Sequence, residues 1–375
     1  MNLAEMLSYA DIHQLIRIAG HYSCECDGHS KNELIQSILS AINRKGVFDR
    51  FVQDLSTEDI RFMNSLLFDR RDAFSLEELI ARVQQTTFVK EDKEKLNPRE
   101  TISKFKQRGW LFNGYSHKTK YLLQIPQDIK NKFAEALFRQ FHADLVVTEE
   151  PGVYRDEHKL ILDDIHFFLQ FVYHHPVLLT SDGTMYKRYL QQVLEGLSVW
   201  EEPVAKGGWR FGYGRRFRDY PNRFSLIYDY CFYNGLIEER ENMLILTETG
   251  TSLVHAGRKD ELSLVYRTWM KIYKGPVPNL QSIVHWIERL SRQQWVTGKS
   301  LSGILCPFIK PYYYDLPDNI LDQRILQMLM HLGVIRLGED ENQGKVVFTT
   351  QVGSRLILGT YVAEEDKIEI PIEHA

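Results

Sequence analysis

At 375 residues the chain exceeds one ordinary core and suits about two to four modules. Its 43% hydrophobic and 26% charged content is that of a globular protein, and a net charge of -4 excludes a chain that coats nucleic acid by bulk electrostatics; any such contact needs a local patch. Glu5 stands where a signal peptide carries basic residues, no apolar run approaches the ~20 residues that cross a bilayer, and the four cysteines are scattered, so a cytoplasmic protein without a membrane partner is expected.

Residues 8–42 read as two amphipathic helices. Ile12, Leu15, Ile16 and Ala19 share one face; Leu34, Ile35, Ile38, Leu39 and Ile42 share another, with Ser30 as N-cap and Glu33 completing a capping box. The intervening turn holds His21, Cys24, Cys26 and His29, ligand types that zinc prefers, but Cys-x-Cys with flanking His is not a zinc-knuckle spacing and no metal is expected. The phrase Gly28-His29-Ser30-Lys31-Asn32-Glu33-Leu34-Ile35 resembles the core of SAP-like helix-extension-helix modules. That resemblance implies DNA binding, with Lys31 as a contact; a plain helical hairpin packed on its neighbour is the alternative.

From Asp49 to Gln85 the pattern is helical, with Ser56 and Ser75 as caps, and the mixed-charge run Lys90 to Lys95 reads as a solvated loop. Pro98 opens a helix through Arg108 that stops at Gly109, followed by Trp110-Leu111-Phe112, a His/Lys turn and Tyr121 to Ile125. The same order recurs more clearly downstream. A helix at Asp163 to Val172, a short strand at Val177 to Thr180 and a helix from Met185 lead to Leu226–Tyr233, then Gly235, a charged turn and the strand Leu244 to Thr247. About a hundred residues later Ile325 to Leu332, Gly333, a polar turn and Val346 to Thr350 repeat it. A glycine at the helix end reverses the chain into a hairpin, so helix, Gly stop and hairpin supply the ingredients of a winged helix. The expected fold is α+β and predominantly helical: a SAP-like module at 1–48 and winged-helix modules at 49–150, 151–275 and 276–375.

Leu179 to Arg188, with its Leu-Thr-x-Asp-Gly-x-x-Tyr-Lys-Arg order, and the Leu-Ile-Leu-Thr-Glu-Thr-Gly run at Leu244 to Gly250 resemble the helicase-associated N-terminal domain of XPB-type helicases. The likeness spans roughly Asp163 to Gly359. It implies tandem winged-helix modules tied to DNA repair or transcription, a helicase or RNA polymerase subunit as partner, and no catalytic residue in this chain.

A motor needs a glycine loop that wraps phosphates, and the one Gly-Lys-Ser, Gly298-Lys299-Ser300, has Gln293 where the first glycine should stand and no buried strand before it. His174-His175 and Asp163-Asp164 lack a second acid or base at a diagnostic interval and read as surface and helix-start residues. The strongest candidate surface is Lys206 to Arg223. Lys206, Arg210, Arg215, Arg216, Arg218 and Arg223 could grip phosphates while Trp209, Phe211, Tyr213 and Phe217 stack on bases. The alternative packs those aromatics on the core and pairs the arginines with acids such as Glu201 and Glu202. Lys187 and Arg188 are further candidate contacts. The expectation is a non-enzymatic, cofactor-free accessory protein that binds single- or double-stranded DNA; an adaptor using winged helices without DNA is the competing reading.

Overall fold

The computed structural model describes residues 1–375 except 27, 45, 89–96, 206–211, 258, 259 and 370–375. It is 55% helix and 12% strand, the strands forming small antiparallel sheets, so the fold is α+β and predominantly helical. Two compact units divide the chain, Met1–Asp144 and Leu145–Ala375. The division at Asp144/Leu145 falls inside the module expected at 49–150.

Unit 1 runs α1 (Leu3–Tyr9), α2 (Ile12–His21), α3 (Lys31–Asn43), α4 (Val47–Gln53), α5 (Thr57–Leu67), β1 (Ala73–Phe74), α6 (Leu76–Thr86), α7 (Pro98–Gln107), β2 (Phe112–Asn113), β3 (Leu123–Gln124) and α8 (Gln127–Ala143). Ser30, Ser56 and Ser75 cap their helices as expected, but the reciprocal box forms at Ser75 with Glu78; at Ser30 only the hydroxyl cap is made. Ile16 faces outward, 44% exposed, whereas Leu15, Ile18 and Ala19 go inside. The first two modules share one core because of Trp110. It is fully buried, its ring 5.0 Å from Phe48 and 5.7 Å from Phe133. Its indole nitrogen donates to the Tyr22 hydroxyl at 2.9 Å, which in turn donates to the Arg108 carbonyl at 2.8 Å.

Unit 2 runs β4 (Val147–Thr148), β5 (Val153–Arg155), α9 (Leu160–His174), β6 (Val177–Leu178), α10 (Lys187–Gly196), α11 (Asn222–Tyr233), β7 (Ile237–Arg240), β8 (Met243–Leu246), α12 (Glu248–Ala256), α13 (Leu262–Tyr273), α14 (Leu280–Ser291), β9 (Trp295–Thr297), α15 (Gly298–Leu305), a helix α16 over 317–331 with a π-helical middle at Ile320–Leu326, β10 (Ile335–Asp340), β11 (Gly344–Thr349) and α17 (Gln351–Gly359). Its larger sheet has the order β4-β9-β11-β10-β5. The strands on either side of the expected 150/151 boundary therefore both belong to the sheet of the last module, Val147 pairing with Val296 and Arg155 with Leu337.

One topology occurs three times: helix, strand, helix, helix, then a hairpin whose second strand pairs antiparallel with the first strand. It is built from α5-β1-α6-α7-β2-β3, α9-β6-α10-α11-β7-β8 and α14-β9-α15-α16-β10-β11. The short strand β1 interrupts what reads as a continuous helical stretch. Gly109, Gly235 and Gly333 end the third helix of each copy with φ of 66°, 66° and 65°, a left-handed backbone that costs a side-chain-bearing residue about 1–2 kcal/mol.

The second and third copies share a further device. Thr247 and Thr350 cap the helix after the hairpin by accepting from Gly250 and Gly353, and donate back to the carbonyls of Gly235 and Gly333. Gly250 and Gly353 then lie so close to the Leu236 and Val334 carbonyls that a Cβ would fall 2.1 and 2.0 Å from the oxygens. The Thr-x-x-Gly spacing is thus the means by which each hairpin is stapled to its helix end.

Candidate nucleic-acid interface

Lys206, Trp209, Arg210 and Phe211 lie outside the described residues. From Gly212 onward the loop turns into the protein. Tyr213 is 5% exposed and meets Tyr273 and Tyr312 edge-on, at 5.1 and 5.7 Å between centroids. It has no free face for a base. Arg215 forks onto Glu239 through contacts of 3.0 and 2.7 Å and lies 4.0 Å over the Phe232 ring. Arg216 reaches the same carboxylate at 3.0 and 3.1 Å and donates to the Asp182 carbonyl at 2.7 Å.

The glycines admit close approach, but to the protein itself: a Cβ on Gly214 would sit 2.3 Å from Asp229 Oδ2, and one on Gly183 2.3 Å from Arg216 Nη2. Asp229 accepts from the Arg215 amide at 2.9 Å, and burial pushes its carboxyl up to about 7 against the pull of Arg215 and Arg216.

Arg223 departs most sharply from the sequence expectation. It is fully buried, with Nε 3.1 Å from Glu157 and Nη1 2.5 Å from Asp164, both themselves buried. Neither nucleic acid nor solvent reaches it. Asp164, expected at the surface, also accepts from the Ser198 amide at 2.7 Å. Glu201, an arginine partner in the alternative reading, instead accepts the Arg223 and Phe224 amides and so caps α11.

Helix α11 is buried on every side from Arg223 to Cys231, and α16 from Ile320 onward is nearly so. Packing on all sides, with even Arg223, Asp229 and Arg324 buried, leaves no broad exposed face for a groove. Among the expected contacts, Lys187, Arg188 and Arg218 are exposed; Arg188 rests over Tyr189 and Arg218 beside Phe217. Lys31 is also exposed, its Nζ donating to the Ser8 carbonyl at 2.7 Å.

Unit 1 holds a basic face that was not among the sequence-based candidates. From Thr101 to Gln127 the chain has no Asp or Glu but carries Lys104, Lys106, Arg108, Lys118 and Lys120. Lys104 pairs with Asp59, and Arg108 is buried over the Trp110 ring. The others face outward to differing degrees. Helix α7 exposes Arg99, Glu100, Ser103 and Gln107, so its exposed face carries one acid, in the first turn before the acid-free interval, and Lys106 is half-buried with Nζ donating to Asn113 at 2.9 Å.

The β2–β3 turn is held rigid: Ser116 and Thr119 exchange amide-to-hydroxyl bonds of 3.2 Å, and Lys120 N donates to the Ser116 carbonyl at 2.8 Å. His117, Lys118, Lys120, Tyr115 and Tyr121 project from it into solvent. The signal available in the sequence was the long acid-free interval with tyrosines interleaved; it is masked because its charges are spread over a helix and a turn.

Gly298-Lys299-Ser300 opens α15 directly after β9, which is buried, so a buried strand does precede it. Ser300 is nonetheless engaged with the cap Thr297, its N and Oγ both bonded there, and Gln293 still occupies the first-glycine position. Among the described residues no group of three or more His, Cys, Asp or Glu could hold a metal ion, and no helix is long and apolar enough to cross a membrane. The chain matches no family model, and comparison with curated proteins found no match.

Proposed function

We propose that this chain is a non-catalytic, DNA-binding accessory protein built from three winged-helix modules, with its DNA contact on unit 1. The carrying observation is the acid-free interval Thr101 to Gln127, which combines an exposed helix face on α7 with a rigid, basic, tyrosine-bearing turn in a chain whose overall charge is negative. The thrice-repeated strand order supports the winged-helix reading, in which α7 is the helix offered to a groove and the β2–β3 turn is the wing. Burial of α11 and α16 removes the equivalent helices of the other two modules from that role.

The likeness of Leu179 to Arg188 and of Leu244 to Gly250 to the XPB-associated domain supports action beside a separate helicase, polymerase or repair enzyme, with no ATPase of its own. The test is a salt titration of fluorescent single- and double-stranded DNA by anisotropy. Binding that weakens as salt rises, and weakens further in Lys118→Ala/Lys120→Ala, is expected. Absence of binding to either probe at low salt would overturn the reading.

An adaptor function without DNA is the second reading. It is favoured by the exposed, largely apolar sequence Tyr313, Tyr314 and Leu316 beside α16 in unit 2, a surface suited to a protein partner. Co-purification of a partner that Tyr314→Ala/Leu316→Ala abolishes, with DNA binding absent, would favour it.

A further inference from the structure

Unit 1 has a cleft of about 380 Å³ between α1, α2, α7 and the start of the β2–β3 turn. Tyr9 and Tyr115 stack at its rim, with centroids 4.6 Å apart and planes 17° from parallel, yet they are 62% and 55% exposed. Each ring covers one face of the other; so much remaining exposure leaves the outer faces open to a third ring. Two aromatic side chains held face to face in water form a ready platform for one more planar group.

Arg17 and Lys106 also line the cleft. Burial and the charge of Arg17 pull the Lys106 ammonium below its ordinary pKa, as expected for two cations brought together without an anion between them. The acid lining the same cleft, Asp11, accepts the Gln14 amide at 2.7 Å and is occupied as the N-cap of α2. Gln14 adds a buried side-chain nitrogen with no hydrogen-bond partner among the described residues.

A planar platform, two converging cations and an unused donor in a space the size of a small-ligand site match one nucleotide: base, phosphate and an acceptor on the base edge. A base inside a duplex has both faces covered by its neighbours, so the platform selects an unpaired one. We propose that this cleft binds single-stranded DNA, an extruded base stacking on the Tyr9–Tyr115 pair while Arg17 and Lys106 hold its phosphate. The proposal rests on the DNA-binding reading above and deepens it from DNA in general to an unpaired strand beside the wing.

The experiment uses the full chain with fluorescein-labelled oligothymidylate and a blunt mixed-sequence duplex. Tyr9→Ala/Tyr115→Ala should weaken the oligothymidylate complex by about 5- to 150-fold and the duplex complex by less than about two-fold. Tyr9→Phe/Tyr115→Phe should restore single-strand binding, because the ring faces carry it. Arg17→Ala/Lys106→Ala should lower the salt slope for oligothymidylate by about one for each phosphate no longer neutralised. Photocrosslinking of an iodouracil-substituted strand should map to Tyr9 or Tyr115. Oligothymidylate affinity unchanged in the alanine pair while the wild type binds duplex, or crosslinks confined to unit 2, would overturn this inference and leave the DNA-binding reading standing. Wild-type protein that binds neither probe would overturn both.

Discussion

Arg223 and Glu157 form an ion pair that solvent does not reach, and the Glu157 carboxylate also lies 3.0 Å from His331 Nδ1, so one buried acid joins α11 to α16. Burial alone would push this carboxyl up, but the His331 hydrogen bond and the charges of His331, Arg223 and Arg155 outweigh it and hold it below its ordinary value. The helices that in a free module would face outward are instead fastened to each other.

Breaking that pair should be costly because the surviving charge stays buried. Arg223→Ala is expected to destabilise unit 2 by about 3–5 kcal/mol, read by urea denaturation, whereas Lys187→Ala should change it by less than about 0.5 kcal/mol. Equal, small effects would show that the pair contributes little.

The loop arginines and the unit 1 lysines should separate by assay. Lys118→Ala/Lys120→Ala is expected to reduce the slope of log K against log salt for duplex DNA by about two, with stability unaltered. Arg215→Ala and Arg216→Ala should leave that slope in place and instead destabilise unit 2 by roughly 1.5–3 kcal/mol each, through the charge-assisted hydrogen bonds to Glu239 that each variant loses while the other arginine keeps the carboxylate paired. A reduced slope in the Arg215 or Arg216 variant would return the DNA contact to the 206–223 loop.

Asp229 supplies a pH signature. Its carboxyl is raised to about 7 in the folded protein from the ordinary aspartate value of 3.8. The folded state therefore holds the proton more tightly, and this contribution is fully present below the unfolded pKa and lost as pH climbs through the folded one. Stability of the wild type minus that of Asp229→Asn should fall between about pH 4 and pH 7 and level off above. A difference that is flat, or rises with pH, would contradict the assignment.

The glycine stops should not be equivalent. Gly235 has open space where a Cβ would be built, so Gly235→Ala should cost only the left-handed backbone, about 1–2 kcal/mol. A Cβ on Gly333 would lie 1.8 Å from the His158 carbonyl oxygen, so Gly333→Ala should cost clearly more. Matching thermal shifts for the two variants would show that the backbone near His158 relaxes freely.

The glycine stops and the hairpins were legible in the sequence because they are local: a helix period, a glycine and an apolar alternation lie within one stretch of chain. The fate of the arginines was not. Arg215 finds Glu239 at a separation of 24 residues and Arg223 finds Glu157 at 66, so a local charge balance over 206–223 counted cations whose partners lay outside the window. The division of the chain was hidden for the same reason. Tyr22 and Arg108, which close the first core around Trp110, are 86 residues apart.

The placement of β5 at the edge of the last sheet also sets an order of events during synthesis. Unit 1 closes its contacts within the first 144 residues and can fold while the rest of the chain is still being made. Unit 2 cannot, for Asp156, next to β5, waits 180 residues for Arg336. Until the ribosome has delivered the stretch from His331 through β10, the nascent chain carries Glu157 without its His331 partner and an unpaired edge at Val153 and Tyr154, the kind of open edge that invites pairing with another chain.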